Sequence, residues 1–198
     1  PNFFTLAISL PKAQSAWLEL FSEGLFQAAR ESRVHLIGGD TTCGPLSITV
    51  QVQGDAPKTP WLRAGAKVGD YIYLTQKLGR AGQGLADYFA GNSHSPFIDD
   101  YLKPKPAFKH LTALQGKVHS AIDISDGLMA DLQHILTASN VGAEINASQV
   151  ADVELITAIG ETKACELALT AGDDYKLCIS SGHEPSAMPK GLVFIFLC

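Results

Sequence analysis

Apolar and polar residues alternate along the chain with two different periods, which predicts a mixed α/β protein. Phe3 to Leu10 is an apolar run rich in β-forming residues, and every second residue from Leu46 to Val52 is apolar. Both segments are predicted to be strands, the second of them half-buried. From Gln14 to Glu31 the apolar residues recur at helical spacing. The side chains expected to pack in that helix are Trp17, Leu18, Phe21, Leu25 and Ala28.

The same two patterns continue in the second half of the chain. The predicted strands are Tyr71–Thr75, Gly142–Ala147 and Asp174–Ser180, and the predicted helices are Leu78–Phe89, Ala107–Gln115 and Thr162–Thr170. The segment from Gly54 to Pro60 carries two prolines and a glycine without periodicity, so we expect a linker there. This gives one domain at residues 1–56 and a second at residues 57–198, in an α/β (mixed α+β) fold with acids at its strand ends.

One stretch combines a predicted strand end with acidic and hydroxyl side chains. In Ala121 to Gly127 (AIDISDG), Asp123 and Ser125 are two residues apart and therefore project from the same face of a strand. Asp126 stands directly before a helical run and is expected to cap it. The residues that recur at helical spacing in this run, and that should pack inward, are Leu128, Leu132, Ile135 and Leu136.

An Asp-Gly pair after a strand is often only a turn and a helix cap, and for this stretch alone that interpretation is as good as a functional one. Two further segments favour function. Leu36 to Thr42 (LIGGDTT) is a short apolar strand that ends in two glycines, an acid and two hydroxyls. Leu169 to Tyr175 (LTAGDDY) places two acids after a glycine. We therefore expect the acids of the three junctions to converge in space.

Composition narrows the classes of protein that fit. The chain has 198 residues, of which 46% are hydrophobic and 18% are charged, so it can bury a core and is too apolar for disorder. With a net charge of -5 and no basic stripe, nucleic acids and anionic membranes are poor partners. No apolar run is long enough to span a bilayer. The four cysteines contain no CxxC pair, which indicates reduced thiols in a cytoplasmic protein.

Several common catalytic motifs are absent from the sequence. It has no GxxxxGK[ST] loop, no GxGxxG after a strand and no HExxH among its six histidines, which argues against P-loop, dinucleotide-binding and zinc-protease sites. Ser125 stands in Asp-Ile-Ser-Asp-Gly rather than GxSxG, which argues against a serine hydrolase. The acids also lack the spacing of an EF-hand.

The acids are better explained by phosphoryl transfer, which needs metal ions to bridge phosphates and N–H groups or positive side chains to spread charge. Magnesium is commonly held by one or two carboxylates together with phosphate oxygens. The expected ligands are Asp40, Asp123 and Asp126 for magnesium and Gly39 and Ser125 for a nucleotide. Arg63 is a candidate phosphate clamp, although a lone arginine in a loop is more often solvated.

Four motifs occur in a fixed order along the chain: LIGGDTT from Leu36, RAGAKVGD from Arg63, AIDISDGL from Ala121 and GDDY from Gly172. Together they resemble the thiamine-monophosphate kinase family, of the superfamily that includes aminoimidazole ribonucleotide synthetase and selenophosphate synthetase. The resemblance covers residues 3 to 181. It implies a two-domain homodimer that uses ATP and Mg²⁺ to phosphorylate thiamine monophosphate, giving thiamine diphosphate.

The resemblance also implies roles for individual residues. Nucleotide contacts match at Gly39, Asp40, Arg63 and Ser125, metal ligands at Asp40, Asp123 and Asp126, and a substrate contact at Asp173. Because the acceptor phosphate is already ionised near neutral pH, no general base is required. The implied mechanism is a direct in-line transfer assisted by metal ions, without a catalytic side chain.

The chain departs from the family pattern in several places. Asp173 stands where the family usually has a glutamate, and Gln76 and Lys77 replace the usual Gly-Thr. The family's Gly-Asp-Asp pair, Ser-Thr-Asp strand and Asn-Leu-Ser-Asp helix start would precede Pro1, so we expect an incomplete N-terminal domain. Two other interpretations stay open: another ATP-dependent member of the superfamily with a different acceptor, and a non-catalytic nucleotide-binding or dimerisation fragment.

Overall fold

The computed structural model describes residues 1–106 and 110–197, and at residues 196 and 197 it describes the backbone only. The chain divides into two compact units, Pro1–Pro60 and Trp61–Cys198. Each unit combines strands with helices, which confirms the predicted mixed α/β class. Within the described ranges, none of the helices has both the length and the apolar character that a bilayer-spanning segment needs.

The first unit is a three-stranded sheet with one helix. Its elements are β1 (Phe3–Leu10), α1 (Ser15–Ser32), β2 (His35–Cys43) and β3 (Ser47–Gln53). β1 lies in the middle of the sheet, parallel to β2 and antiparallel to β3. The first predicted strand and the first predicted helix are confirmed, the helix with its ends one residue later than expected.

The packing side predicted for α1 is only partly right. The stripe that turns inward includes Leu18, Phe21 and Leu25, which are half-buried, and it continues to Ala29, which is 7% exposed. Trp17 lies at the flank of this stripe, is 36% exposed and stacks on the Phe21 ring at 5.2 Å between centroids. The predicted core position at residue 28 is also exposed, because a helix of 3.6 residues per turn brings residue 29 rather than 28 under residue 25.

Two predictions for the strands of the first unit are wrong. The short apolar strand expected to end in the two glycines of LIGGDTT is longer than expected, since β2 continues to Cys43 because β1 pairs with it throughout, with Leu6 opposite Gly39. The alternating segment is a strand, β3, but it is not half-buried: its residues Ile48, Val50 and Val52 are 43%, 45% and 54% exposed. β3 lies at the edge of the sheet, and no described segment covers its apolar face.

The second unit is built on a four-stranded sheet in the order β5-β6-β4-β7, in which all neighbouring strands are antiparallel. The strands are β4 (Tyr71–Leu74), β5 (Ser120–Asp123), β6 (Leu177–Ser181) and β7 (Val193–Leu197). The helices are α2 (Arg80–Phe89), α3 (Ile98–Leu102), α4 (Leu111–Leu114), α5 (Leu128–Ser139), α6 (Ala147–Val150), α7 (Val153–Ile159) and α8 (Glu161–Thr170).

The core of the second unit lies where α5 packs together with the sheet and with α8. Leu128, Leu132 and Ile135 are at most 2% exposed, and Leu136 packs against the same cluster, so the predicted inward side of α5 is confirmed. Burying side chains of this size contributes roughly 1.5–3 kcal/mol each, so this helix is a main source of the unit's stability.

Among the predictions for the second unit, one strand does not form and one helix lies partly outside the described residues. The strand predicted at Gly142–Ala147 does not form; alternate residues there pack on the core, but the segment is irregular until α6 begins. The helix predicted at Ala107–Gln115 falls partly on residues 107–109, which lie outside the described residues, and the described part contains only α4. Cys198, one of the four cysteines, also lies outside the described residues.

Candidate functional site

The end of β5 exposes polar side chains and buries apolar ones in strict alternation. Ile122 and Ile124 are 6% and 0% exposed, whereas Asp123 is exposed and Ser125 is half-buried. Asp123 and Ser125 therefore share the outer face, as a two-residue period requires. The apolar residues on either side hold the strand end against the core, so its carboxylate and hydroxyl are presented from a fixed backbone.

The start of α5 differs from the prediction that Asp126 caps it. The N-cap residue is Gly127 (φ 112°), and no side chain caps the helix at that position. The nearby N–H groups of Ser125 and Asp126 instead donate to one carboxylate oxygen of Asp131, at 2.9 and 3.0 Å. Asp131 thus accepts the hydrogen bonds that a capping residue would accept. The exposed Asp126 carboxylate forms no hydrogen bond or ion pair with the described residues. The cap interpretation therefore does not explain Asp126.

The junction before β6 is joined to the end of β5 by main-chain hydrogen bonds. The N–H of Asp173 donates to the carbonyl of Ser125 at 2.9 Å, and the N–H of Tyr175 donates to the carbonyl of Ile124 at 2.8 Å. A Cβ on Gly172 would lie 2.2 Å from the Ser125 carbonyl oxygen, so only glycine allows this approach. Two of the three predicted acid junctions thus form one structure.

The junction before β6 has an unusual backbone, which directs neighbouring side chains to different sides. Asp173 (φ 64°) and Tyr175 (φ 48°) both adopt the left-handed conformation, which is costly for residues other than glycine. The Tyr175 hydroxyl donates to a carboxylate oxygen of Asp173 at 3.1 Å. This bond, together with the negative charges of Asp173, Asp123 and Asp126, raises the pKa of the Tyr175 hydroxyl. Three acids from two junctions therefore act on one phenol.

Between these two residues, Asp174 turns inward and is only 3% exposed. Its carboxylate accepts hydrogen bonds from the N–H groups of Gly79, at 2.7 Å, and Ala81, at 3.3 Å, at the start of α2. Burial raises the pKa of Asp174 to about 6 in spite of these bonds and of the positive charge of Lys176. The loop that carries Asp173 is thereby tied to a second helix.

A cavity of about 370 Å³ lies beside this loop. Residues of both charges line it, among them Lys77, Arg80, Asp100, Asp152, Asp174 and Lys176. Arg80 is already engaged, because its guanidinium forms ion pairs with Asp100, Asp152 and Glu154 at 2.7–3.2 Å. These pairs raise the pKa of Arg80 although burial opposes the charge.

The remaining predicted junction lies in the first unit. Asp40 is exposed on β2, and its carboxylate accepts a hydrogen bond from the N–H of Thr41 at 2.8 Å. A Cβ on Gly39 would lie 1.8 Å from the carbonyl oxygen of Leu6, so the packing of the strands already requires glycine there. The glycine at this position thus has a structural reason to be present, independent of any ligand.

Arg63 lies in a loop that is held against the end of α5. Its side chain is exposed, and its carbonyl accepts a long hydrogen bond, at 3.4 Å, from Ser139, the last residue of α5. The Ser139 hydroxyl also accepts from the N–H groups of Gly65 and Ala66 at 3.1 Å. The loop is therefore fixed at the C-terminal end of α5, and the carbonyl of Leu62, next to Arg63, accepts a hydrogen bond from the N–H of Ala121 in β5 at 2.9 Å.

The acids that converge are suitable partners for a divalent cation. Asp123 and Asp126 are exposed, carry hard oxygen donors and act on the same tyrosine. Among residues 1–106 and 110–197, no group of three or more His, Cys, Asp or Glu side chains is arranged to hold a metal ion by itself. Magnesium in proteins is commonly held by one or two carboxylates together with phosphate oxygens, and Asp123 and Asp126 are two such carboxylates.

Sequence reasoning missed the structural roles of Asp131 and Asp174. A usable signal existed for Asp131, because it lies three residues after Leu128 and four before Ile135, on the apolar stripe of α5. An acid on the buried side of a helix's first turns needs N–H donors, and the free donors there are those of the preceding turn. The inward turn of Asp174 depends on the left-handed backbone on both sides of it and has no sequence signal.

The geometry and the sequence agree with the match to known families. Residues 1–56 match the family described as AIR synthase related protein, N-terminal domain, and residues 67–180 match AIR synthase related protein, C-terminal domain. The fold and the strand-end acids therefore define an AIR synthase related protein.

Comparison with individual proteins narrows the family further. The chain is 40% identical over 190 residues to thiamine-monophosphate kinase of Buchnera aphidicola subsp. Schizaphis graminum, an alignment that covers 91% of this chain and 58% of that protein. The crystal structure of thiamine-monophosphate kinase from Stenotrophomonas maltophilia matches all of this chain and 69% of that one, with 33% identity and a TM-score of 0.87. The chain belongs to the thiamine-monophosphate kinase family.

A third comparison adds the fold of a liganded relative. The structure described as AaThiL complexed with AMPPCP and TMP has a TM-score of 0.89 and 24% identity, over 100% of this chain and 67% of that one. The chain spans about 58% of the length of the curated relatives that it matches.

Proposed function

We propose that the whole protein transfers the γ-phosphate of ATP to thiamine monophosphate, giving thiamine diphosphate and ADP, with Mg²⁺ as the metal. The observation that carries this proposal is the pair of main-chain hydrogen bonds that join the end of β5, which carries Asp123 and Asp126, to the junction that carries Asp173, in a chain of this family. The name of the relatives and the AMPPCP and TMP bound to AaThiL support the choice of nucleotide and acceptor.

Each residue of the proposal has a distinct role. In the second unit, Asp123 and Asp126 would hold magnesium, Arg63 and Ser125 would contact the nucleotide, and Asp173 would contact the acceptor. In the first unit, Asp40 is a candidate magnesium ligand, and Gly39 and Asp40 are candidate nucleotide contacts. When bound, magnesium would neutralise the negative charge of the phosphates. The side chains themselves bind and orient, since a phosphate acceptor is ionised near neutral pH and needs no base.

Asp173 would approach the acceptor with its orientation already restricted. Its N–H is held by the Ser125 carbonyl and its carboxylate by the Tyr175 hydroxyl. A carboxylate that is one methylene shorter than glutamate has fewer rotamers to lose on binding. The left-handed backbone of Asp173 further fixes the direction in which this short side chain points.

The proposal includes a homodimer in the cytoplasm. The exposed apolar residues Ile48, Val50 and Val52 lie on one face of an edge strand, and such a face favours a partner protein surface. The absence of CxxC pairs supports a reducing compartment.

The direct test is to incubate the whole protein with ATP, Mg²⁺ and thiamine monophosphate and to measure thiamine diphosphate by chromatography. We expect stoichiometric formation of thiamine diphosphate and ADP, lost when EDTA is added. Unphosphorylated thiamine and aminoimidazole ribonucleotide precursors serve as alternative acceptors. No thiamine diphosphate above the protein-free control, or faster turnover of another acceptor, would refute the proposed reaction.

A further inference from the structure

We propose that Asp131 is a positioning residue, which fixes the Ser125–Gly127 turn so that Asp126 is oriented to bind a divalent cation. This inference rests on the proposed function, in which Asp126 is a metal ligand. Asp131 itself would not touch the metal, because its carboxylate is buried behind the turn, with 3% of the residue exposed.

The first argument is that the Asp131 carboxylate holds the main chain of the turn at two successive residues. The same oxygen, Oδ2, accepts from the N–H of Ser125 at 2.9 Å and from the N–H of Asp126 at 3.0 Å. The main chain of Asp131 is itself fixed, since its N–H donates to the carbonyl of Gly127 at 2.9 Å. Hydrogen bonds to an ionised acceptor are stronger than neutral ones, so this contact restrains the turn tightly.

The second argument is that no side chain other than Asp131 is hydrogen-bonded to Asp126 among the described residues. The helix has no side-chain cap at Gly127, and the Asp126 carboxylate has no hydrogen-bond partner among the described residues. On its other side Gly127 is pressed against the carbonyl of Thr170, where an added Cβ would lie only 2.7 Å away. The turn is thus held by Asp131, by the Thr170 main chain and by the N–H of Asp173 on the Ser125 carbonyl, and Asp131 is the one of the three that acts through its side chain on the N–H of Asp126 itself.

The third argument concerns charge. The N–H groups before a helix usually attract anions, yet here a carboxylate of the chain itself occupies them. With this internal anion in place, the N–H groups of Ser125 and Asp126 are taken, while the outward carboxylate of Asp126 stays available to a ligand. That arrangement suits a cation rather than a free phosphate.

The experiment compares three variants of the whole protein. Asp131→Ala removes the acceptor, whereas Asp131→Asn keeps one carbonyl oxygen that can accept both N–H groups without the charge. Leu132→Ala is the matched control, because it removes buried volume from the adjacent residue of the same helix but leaves the turn untouched. Binding of Mn²⁺ alone is measured by electron paramagnetic resonance, with Asp126→Asn as the reference for loss of the ligand.

We expect Asp131→Ala to weaken Mn²⁺ binding about 10-fold or more, the usual effect of removing a residue that orients a metal ligand. Asp131→Asn should recover most of the affinity, and Leu132→Ala should bind Mn²⁺ like the wild type. In the kinase assay, Asp131→Ala should raise the half-saturating Mg²⁺ concentration and leave the KM for thiamine monophosphate nearly unchanged.

Two results would overturn the inference. One is equal Mn²⁺ affinity for Asp131→Ala and Leu132→Ala, which would make the role merely structural. The other is Mn²⁺ binding that Asp126→Asn does not weaken, which would remove the ligand that Asp131 is said to orient. If the wild type instead makes no thiamine diphosphate but Asp131→Ala still weakens Mn²⁺ binding, the proposed reaction fails and this inference stands.

Discussion

Asp174 is a single residue whose protonation depends on the fold. Burial raises the pKa of its carboxyl from 3.8 to about 6, and the N–H groups of Gly79 and Ala81 offset only part of that effect. Lys176 favours the ionised form and Asp100 disfavours it. The residue therefore stabilises the junction by hydrogen bonds at some cost in desolvation.

This residue gives a prediction about pH. Between pH 3.8 and about 6 the folded protein keeps the proton that the unfolded chain has lost, so this contribution to stability falls as the pH rises and is lost above about 6. The contribution amounts to roughly 3 kcal/mol across the window. Asp174→Asn should remove this slope in the free energy of unfolding, measured by urea denaturation from pH 4 to 7.5. An unchanged slope in the variant would show that Asp174 does not titrate as the structure indicates.

At the scale of elements, α5 connects stability with the site. Its inward side packs into the core, and its first turn carries the carboxylate that holds the Ser125–Gly127 turn. The element that supplies much of the core thus also fixes the position of Asp126. A cavity beneath α5 should therefore mainly lower the free energy of unfolding.

We expect Leu132→Ala to lower the free energy of unfolding by roughly 2–5 kcal/mol, because the residue is 2% exposed and the space cannot refill completely. Met129→Ala is the control on the same helix; Met129 is 53% exposed, so its truncation should cost within about 0.5 kcal/mol. Both are measured by chemical denaturation. Equal effects of the two substitutions would mean that the inward side of α5 has been assigned wrongly.

The inward side of α5 and the outward face of the end of β5 were predictable from the sequence. The helical spacing of Leu128, Leu132 and Ile135 needs only local periodicity, and the alternation around Asp123 likewise reports which face is outward. Two other features depend on distant segments. The extension of β2 is imposed by pairing with β1, and the inward turn of Asp174 by α2, so local pattern does not contain either one.

At the scale of the whole molecule, the exposed apolar face of β3 is the feature that most needs a partner. Its residues Ile48, Val50 and Val52 stand opposite Ile8, Leu6 and Phe4 of β1 in the antiparallel register. Phe4 and Ile8 are buried, so the apolar face of the sheet becomes exposed at β3. An exposed edge strand of this kind favours association with another protein chain.

We predict that the whole protein is a dimer and that Val50→Lys dissociates it, because a charge on this face would have to be desolvated. Gln51→Lys is the matched control, since it adds the same charge on the opposite face of β3. Molar mass by light scattering distinguishes the outcomes. A monomeric wild type, or a Val50→Lys variant that remains dimeric, would exclude this face as the dimer interface.

The central claim is that acids at strand ends hold cations that the phosphates of a nucleotide bridge. Isothermal titration of the whole protein with AMPPCP and Mg²⁺ tests it most directly. We predict binding that requires Mg²⁺, that is lost or weakened about 10-fold or more in Asp123→Asn and Asp126→Asn, and that is unchanged in Asp99→Asn, a variant of an exposed carboxylate on α3. Equal binding by the wild type and both junction variants would contradict the claim.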